Sequence, residues 1–271
     1  MIAVPALAMA AAPQASASPS PTAKPSIFGG GFADPAAVPF AAAILYRGRF
    51  ICSGSVVDSR HVVTAGHCAQ FKLGKLQVVT GRYDLRQLAT GQAHPVVAKY
   101  VHPDYRRKGR HDLSVFALGT PTSSPAVTLA QTAEGNADAA PGRALTVAGW
   151  GGTTPFHENP PGFLKSTSVN AVKQKRCGQV YGKGFVGKTM ICGQGPKRTP
   201  GNKRSLRSSP CAGDSGGPLL GTNPDGAARL VGVVSYGPHL CGLPFAPIAY
   251  AKTYDPSGLA FLGAALSVPA P

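Results

Sequence analysis

The chain has 271 residues, enough for one large domain or two of ordinary size with a sizeable core. Its formal charge is +16, yet only 14% of its residues are charged, below the ~25% usual for soluble proteins, so scarce acids matter as much as plentiful bases. Nothing in the composition points to disorder, no apolar run reaches membrane-spanning length, and basic clusters without interleaved aromatics argue against specific nucleic-acid recognition.

Residues 1–26, "MIAVPALAMAAAPQASASPSPTAKPS", read as a secretory leader and propeptide, with the small residues at Ala15 to Ala17 as a cleavage site. Beyond it, 34 glycines and 26 prolines separate short runs of strand length and β-branched content: Val96-Val97, Leu145-Thr146-Val147 and Leu230 to Val234. An all-β fold is expected. Near the end, Asp255 as cap, Pro256 in the first turn and Leu259, Leu262 and Leu266 on one face predict a short helix. The six cysteines, at 52, 68, 177, 192, 211 and 241, include no C-x-x-C pair. Disulfides in an oxidising compartment are therefore favoured over zinc or a redox dithiol, with about fifteen connectivities open. Arg106, Arg107, Lys108 and Arg110, then Lys173, Lys175 and Arg176, then Lys197, Arg198, Lys203, Arg204 and Arg207 form basic clusters, read as solvated surface or as a site for acidic polymers.

The stretch "CAGDSGGPLL" at Cys211 to Leu220 raises the question of chemistry. A serine hydroxyl attacks only with a base to take its proton, a group to orient that base, and donors for the oxyanion that forms. His67 in "VVTAGHC" follows an apolar run and adjoins Cys68, while Asp112 in "RHDLSVFAL" opens another apolar run. In the chain order His, Asp, Ser, these motifs resemble the trypsin/chymotrypsin family of serine endopeptidases. "IFGGGFADPAAVPFAAAIL" from Ile27, "VAGWGG" and "VVSYGPHLC" extend the resemblance over about residues 27 to 260.

The resemblance implies His67 as general base and acid, Asp112 as its orienting partner and Ser215 as nucleophile, with the backbone N–H groups of Gly213 and Ser215 as oxyanion hole. It implies the pairs Cys52 with Cys68, Cys177 with Cys192, and Cys211 with Cys241. It implies activation by cleavage before Ile27, whose new amine would pair with Asp214; "KPS" ahead of Ile27 does not suit a trypsin-like activator. Ser209 matches the floor of the specificity pocket, and Ser235, Tyr236, Gly237 and Ile248 match its walls. No Asp or Glu lies between Glu158 and Asp214, so a cationic substrate side chain would be buried uncompensated. Ile248, where the family usually has glycine, would shorten the pocket, so small to medium apolar side chains are expected first and large aromatics second.

Two six-stranded antiparallel barrels are implied, about 27–140 and 141–255, joined near "EGNADAAPGRA" at Glu134 to Ala144. The catalytic cleft lies between them, and residues 256–271 form a helix and tail on the second. Asp84 is the one acid in "GRYDLRQLATGQ", too few ligands for calcium, so neither metal nor cofactor is expected. Partners would be peptide or protein substrates and protein inhibitors, acting on a secreted monomer. The competing reading is a catalytically silent cationic binding protein on the same scaffold.

Overall fold

The computed structural model describes residues 27–269 except 109, 157–161, 200 and 203; the leader and its cleavage site lie outside the described residues. Strand β1 (Gly31–Phe32) is followed by β2 (Ala41–Tyr46), β3 (Arg49–Asp58), β4 (His61–Thr64), β5 (Leu76–Thr80), β6 (Gln92–Val101), helix α1 (Pro103–Lys108) and β7 (Ser114–Leu118). Strands β2 to β7 close into a barrel in the order β2-β3-β4-β7-β6-β5, all neighbours antiparallel. Closure removes the free strand edges that a sheet of this apolar content would otherwise expose. Register shifts at Ile44/Leu45, Val56/Asp58 and Val96/Ala98 supply the local bending.

The chain then runs through β8 (Thr128–Leu129), α2 (Thr132–Asp138), β9 (Ala144–Gly149), β10 (Lys165–Ala171), α3 (Gln174–Tyr181), β11 (Met190–Gln194), β12 (Pro218–Thr222), β13 (Ala228–Tyr236), β14 (Ile248–Lys252) and α4 (Pro256–Leu266). A second antiparallel barrel closes in the order β9-β10-β11-β14-β13-β12. Alternating residues Leu145, Val147, Val169 and Ala171 fill it together with Val231 and Tyr250. Strand β1 pairs with β10, and β8 runs parallel to β13, so segments before and after the first barrel lean on the second. Between the barrels α2 is pinned by Arg229, whose guanidinium meets Asp138 at 2.6 Å and Glu134 at 3.1 Å.

The disulfides are Cys52–Cys68, Cys177–Cys192 and Cys211–Cys241. They close spans of 16, 15 and 30 residues, each worth roughly 3 kcal/mol on the chain-entropy estimate. Asp255 caps α4 by accepting the Gly258 N–H, with Pro256 in the first turn. Its packing corrects one expectation: α4 covers the first barrel, not the second. Leu262 and Ala265 join an apolar cluster built mostly of first-barrel residues, and Ser257 and Phe261 meet His102 at the end of β6. The buried stripe is Gly258, Leu262 and Ala265, whereas Leu259 and Leu266 stay half-buried at its margins.

Candidate active site

His67 lies in a single 3-10 turn (Gly66–Gln70) directly after β4, anchored by the Cys52–Cys68 disulfide beside it. Asp112 precedes β7, and the positive φ of His111 (49°) turns the chain there. β4 and β7 pair Thr64 with Ser114, which brings the two segments together. The Asp112 carboxylate accepts the backbone N–H of His67 on Oδ1 at 2.8 Å and the ring Nδ1 on Oδ2 at 2.8 Å. Ser235 Oγ, from the penultimate residue of β13, donates to the same Oδ2 at 2.7 Å. A carboxylate only accepts, so Nδ1 carries the ring proton and Nε2 is left with its lone pair. Asp112 is 5% exposed, and three donors offset that burial.

Ser215 comes from the other barrel, on the turn leading into β12. Its carbonyl accepts the Ser53 N–H at 2.8 Å and lies 3.8 Å from Cys68 Sγ, which sets it beside the residue next to His67. Gly213 and Gly216 hold φ values of 93° and 76°, a region open mainly to glycine. A Cβ on Gly216 would also overlap Thr64 Oγ1, so the turn can approach the first barrel only without one. Among the described residues, the N–H groups of Gly213 and Ser215 find no acceptor. Asp214 between them is fully buried and accepts N–H bonds from Gly151 and Cys211, each at 2.8 Å. Burial pushes its carboxyl up to about 7, against the opposing pull of those two donors.

Beside Ser215 opens a cavity of about 210 Å³ lined by Pro210, Ala212, Ser235, Tyr236, Gly237 and Ile248 among others. Tyr236 is held by its hydroxyl donating to the Gly184 carbonyl at 2.7 Å and by edge contact with Tyr181. Ile248 projects against Gly237, where a Cβ would lie 2.5 Å from its Cδ1. Ser209, expected at the floor, does not line this cavity. It lines a separate void of about 10 Å³, to which Ile248 also belongs. Its hydroxyl donates to the Pro210 carbonyl at 2.8 Å and its N–H to the Phe28 carbonyl at 2.9 Å. Pro210, Ala212 and His239 line the cavity without having been singled out in the sequence; closeness to Ser215 or to the "SYG" stretch was the only signal they carried.

Ile27 is fully buried in the second barrel's cluster, with a positive φ of 56°. Of the described residues, one trio has metal-ligating side chains in reach of one another, Cys52, His67 and Cys68, and both sulfurs are committed to a disulfide. Asp84 is engaged by Arg86 in a two-pronged pair at 2.8 Å, and that hydrogen-bonded partner holds its carboxyl below the usual range. Arg82 donates to the carbonyls of Thr90 and Leu88, bracing the same loop.

Two closed barrels that bring a histidine and an aspartate from one to a serine and two unpaired amides from the other define a serine hydrolase of the double-barrel class. The Trypsin family model matches residues 27–256, and the chain belongs to that family of serine endopeptidases. Human kallikrein-14 is 33% identical over 229 residues, covering 83% of this chain and 79% of that protein. A trypsin of Saccharopolyspora erythraea is 31% identical over 217 residues, covering 79% and 87%. The solved structure of neuropsin, a serine protease expressed in the limbic system of mouse brain, superposes with a TM-score of 0.71 at 27% identity. That match covers 88% of this chain and 99% of the other.

Proposed function

We propose that this endopeptidase is secreted and cleaves after small to medium apolar side chains through His67, Asp112 and Ser215. The observation that carries the reading is the His67–Asp112 bond, which leaves the other imidazole nitrogen with its lone pair, while the Ser215 turn packs against Cys68 beside His67. His67 takes the Ser215 proton as Oγ attacks the scissile carbonyl, and the imidazolium is stabilised by Asp112. The Gly213 and Ser215 N–H groups receive the oxyanion. His67 then returns the proton to the leaving amine, and water hydrolyses the acyl-enzyme by the same route in reverse.

Substrate choice follows from Ile248. With that side chain across the pocket and no carboxylate among its lining residues, Ala, Val or Leu can be buried, whereas Arg or Lys would lose hydration without compensation. Cleavage before Ile27 would supply an amine to Asp214, whose burial favours a cationic partner. Three disulfides and a leader-like N-terminus support export.

The test is hydrolysis of matched peptide amides carrying Ala, Val, Leu, Phe or Arg before the scissile bond, by protein beginning at Ile27, with Ser215→Ala as control. Serine-dependent turnover favouring Ala, Val or Leu supports the proposal. Arg preference refutes the pocket reading, and absence of turnover by folded protein favours the silent binding protein.

A further inference from the structure

Three successive peptide units carry the turn before Ser215, and each is planar, so the direction of its N–H follows that of its carbonyl. The first bears the Gly213 N–H, and its carbonyl, on Ala212, accepts the Gly152 N–H at 2.9 Å. The third bears the Ser215 N–H, and its carbonyl, on Asp214, accepts the Gly217 N–H at 2.8 Å. The middle unit joins the two. Its N–H, on Asp214, donates to the Cys211 carbonyl at 3.0 Å, and its carbonyl, on Gly213, accepts the Ser53 hydroxyl at 3.0 Å.

Gly152, Cys211 and Gly217 all come from the second barrel's half of the chain. Ser53 does not: it lies in β3, 160 positions before Gly213, in the barrel that carries His67 and Asp112. Its side chain is fully buried. The Ser53 backbone extends the link in both directions, its N–H donating to the Ser215 carbonyl at 2.8 Å and its carbonyl accepting Thr64 Oγ1 at 2.8 Å. Thr64 ends β4, in the strand that leads into the His67 turn. One serine therefore ties the Gly213–Ser215 turn to the segment presenting His67.

Gly213 needs such a hold. With φ at 93° and no side chain, its own torsions restrain it weakly. A Cβ there would lie 2.8 Å from the Phe50 ring and 3.1 Å from the Gly151 Cα, so a stiffer residue does not fit. Among the described residues, no backbone N–H donates to the Gly213 carbonyl. Without the Ser53 hydroxyl that carbonyl loses its partner between the barrels, and the cost of leaving it unpaired favours rotation of the middle unit towards another donor. Rotation there re-aims the N–H groups on either side.

We propose, on the triad and oxyanion reading above, that Ser53 is a positioning residue for catalysis: its hydroxyl fixes the middle peptide so that the Gly213 and Ser215 N–H groups converge on one point at a set place relative to His67.

The experiment uses protein beginning at Ile27 as wild type, Ser53→Ala and Ser53→Gly, with folding followed by thermal melting. Ser53→Ala should lower kcat for peptide amides by about 10- to 100-fold, less than the ~10²–10³ of deleting an oxyanion donor outright. KM should change by less than about threefold, because the lost contact acts in the transition state. A peptidyl trifluoromethyl ketone, which forms an oxyanion on Ser215, should bind more weakly by the same factor as kcat, and the matching peptidyl alcohol should bind as to wild type. NMR titration of the carbonyl-labelled ketone adduct should show the pKa of its hemiketal hydroxyl raised by about 1–2, since each tenfold loss of anion stabilisation is one pKa unit. Ser53→Gly, which also lacks the hydroxyl, should behave alike. Unchanged kcat in the folded variants, an unchanged hemiketal pKa, or equal weakening of ketone and alcohol would overturn the proposal, the last by making Ser53 merely structural. Inactivity of folded, Ile27-terminated wild type would instead refute the triad reading.

Discussion

Replacing Ile248 by alanine tests the pocket directly. Ile248 is 6% exposed, on a strand flanked by β11 and β13, and borders both the 210 Å³ cavity and the 10 Å³ void around Ser209. Ile248→Ala removes three carbons, and at about 0.8 kcal/mol per buried methylene a longer substrate side chain can recover about 2.4 kcal/mol. That is a ceiling of about 50-fold at 1.36 kcal/mol per tenfold, and imperfect filling places the expected gain nearer tenfold. The quantity to measure is the ratio of kcat/KM for Phe to that for Ala before the scissile bond. The substitution also costs about 2–5 kcal/mol of stability, so assays belong well below the Tm of the variant. A companion pair sharpens the test. Ser209→Asp alone should leave Arg substrates uncleaved, since Ser209 sits outside the pocket, whereas Ser209→Asp with Ile248→Ala should cleave them. An unchanged Phe to Ala ratio, or Arg cleavage by Ser209→Asp alone, would refute the argument that Ile248 sets the depth.

Asp112→Asn should lower kcat by about 10⁴-fold, the loss this change produces in a chymotrypsin-type triad by holding the imidazole in the wrong tautomer; single-turnover assays with ester and amide substrates check it. Ser235→Ala removes one of three donors to Asp112, and the loss of a hydrogen bond to a charged group, about 1.5–3 kcal/mol, should appear in kcat with KM little changed. In the uncut chain, Asp214 makes no ion pair among the described residues, and burial holds its carboxyl near 7, above the ~3.9 of the unfolded chain. The folded state then binds the proton more tightly, so its contribution to stability is fully present below about pH 4 and is lost as pH rises to about 7. Calorimetry should show Tm falling from pH 5 to pH 8 in that form and a flatter profile when Ile27 is N-terminal; identical profiles would refute the assignment to Asp214. Asp255→Ala removes the cap of α4 and should cost about 1 kcal/mol, read as a Tm lower by roughly 2–4 °C.

Motifs that carry chemistry locally were legible in the chain itself. The segments holding His67, Asp112 and Ser215 each combine a reactive side chain with the turn glycines or flanking apolar strand that would present it, and β-branched runs between Gly and Pro told of strands, their closure into barrels being what the family resemblance implied. The cap, proline and apolar spacing of α4 were equally local, so its existence could be read from 255–266. Which barrel it covers could not, because that depends on where His102 and the first barrel's apolar cluster lie in space. Nor did the spacing of Ser209 from Ser215 show that Ile248, 39 residues further along the chain, would lie across its access to the pocket.

By itself, then, the sequence determined the reactive groups, their order and the strand-rich architecture, since these reside in residue types and in periods of a few positions. Tertiary structure alone decided what shares a space: Ser235 on Asp112, Ile248 against Gly237, and Ser53 on the Gly213 carbonyl. Those relations arise when barrel closure brings distant strands into register, and long-range register is a property of the packed whole.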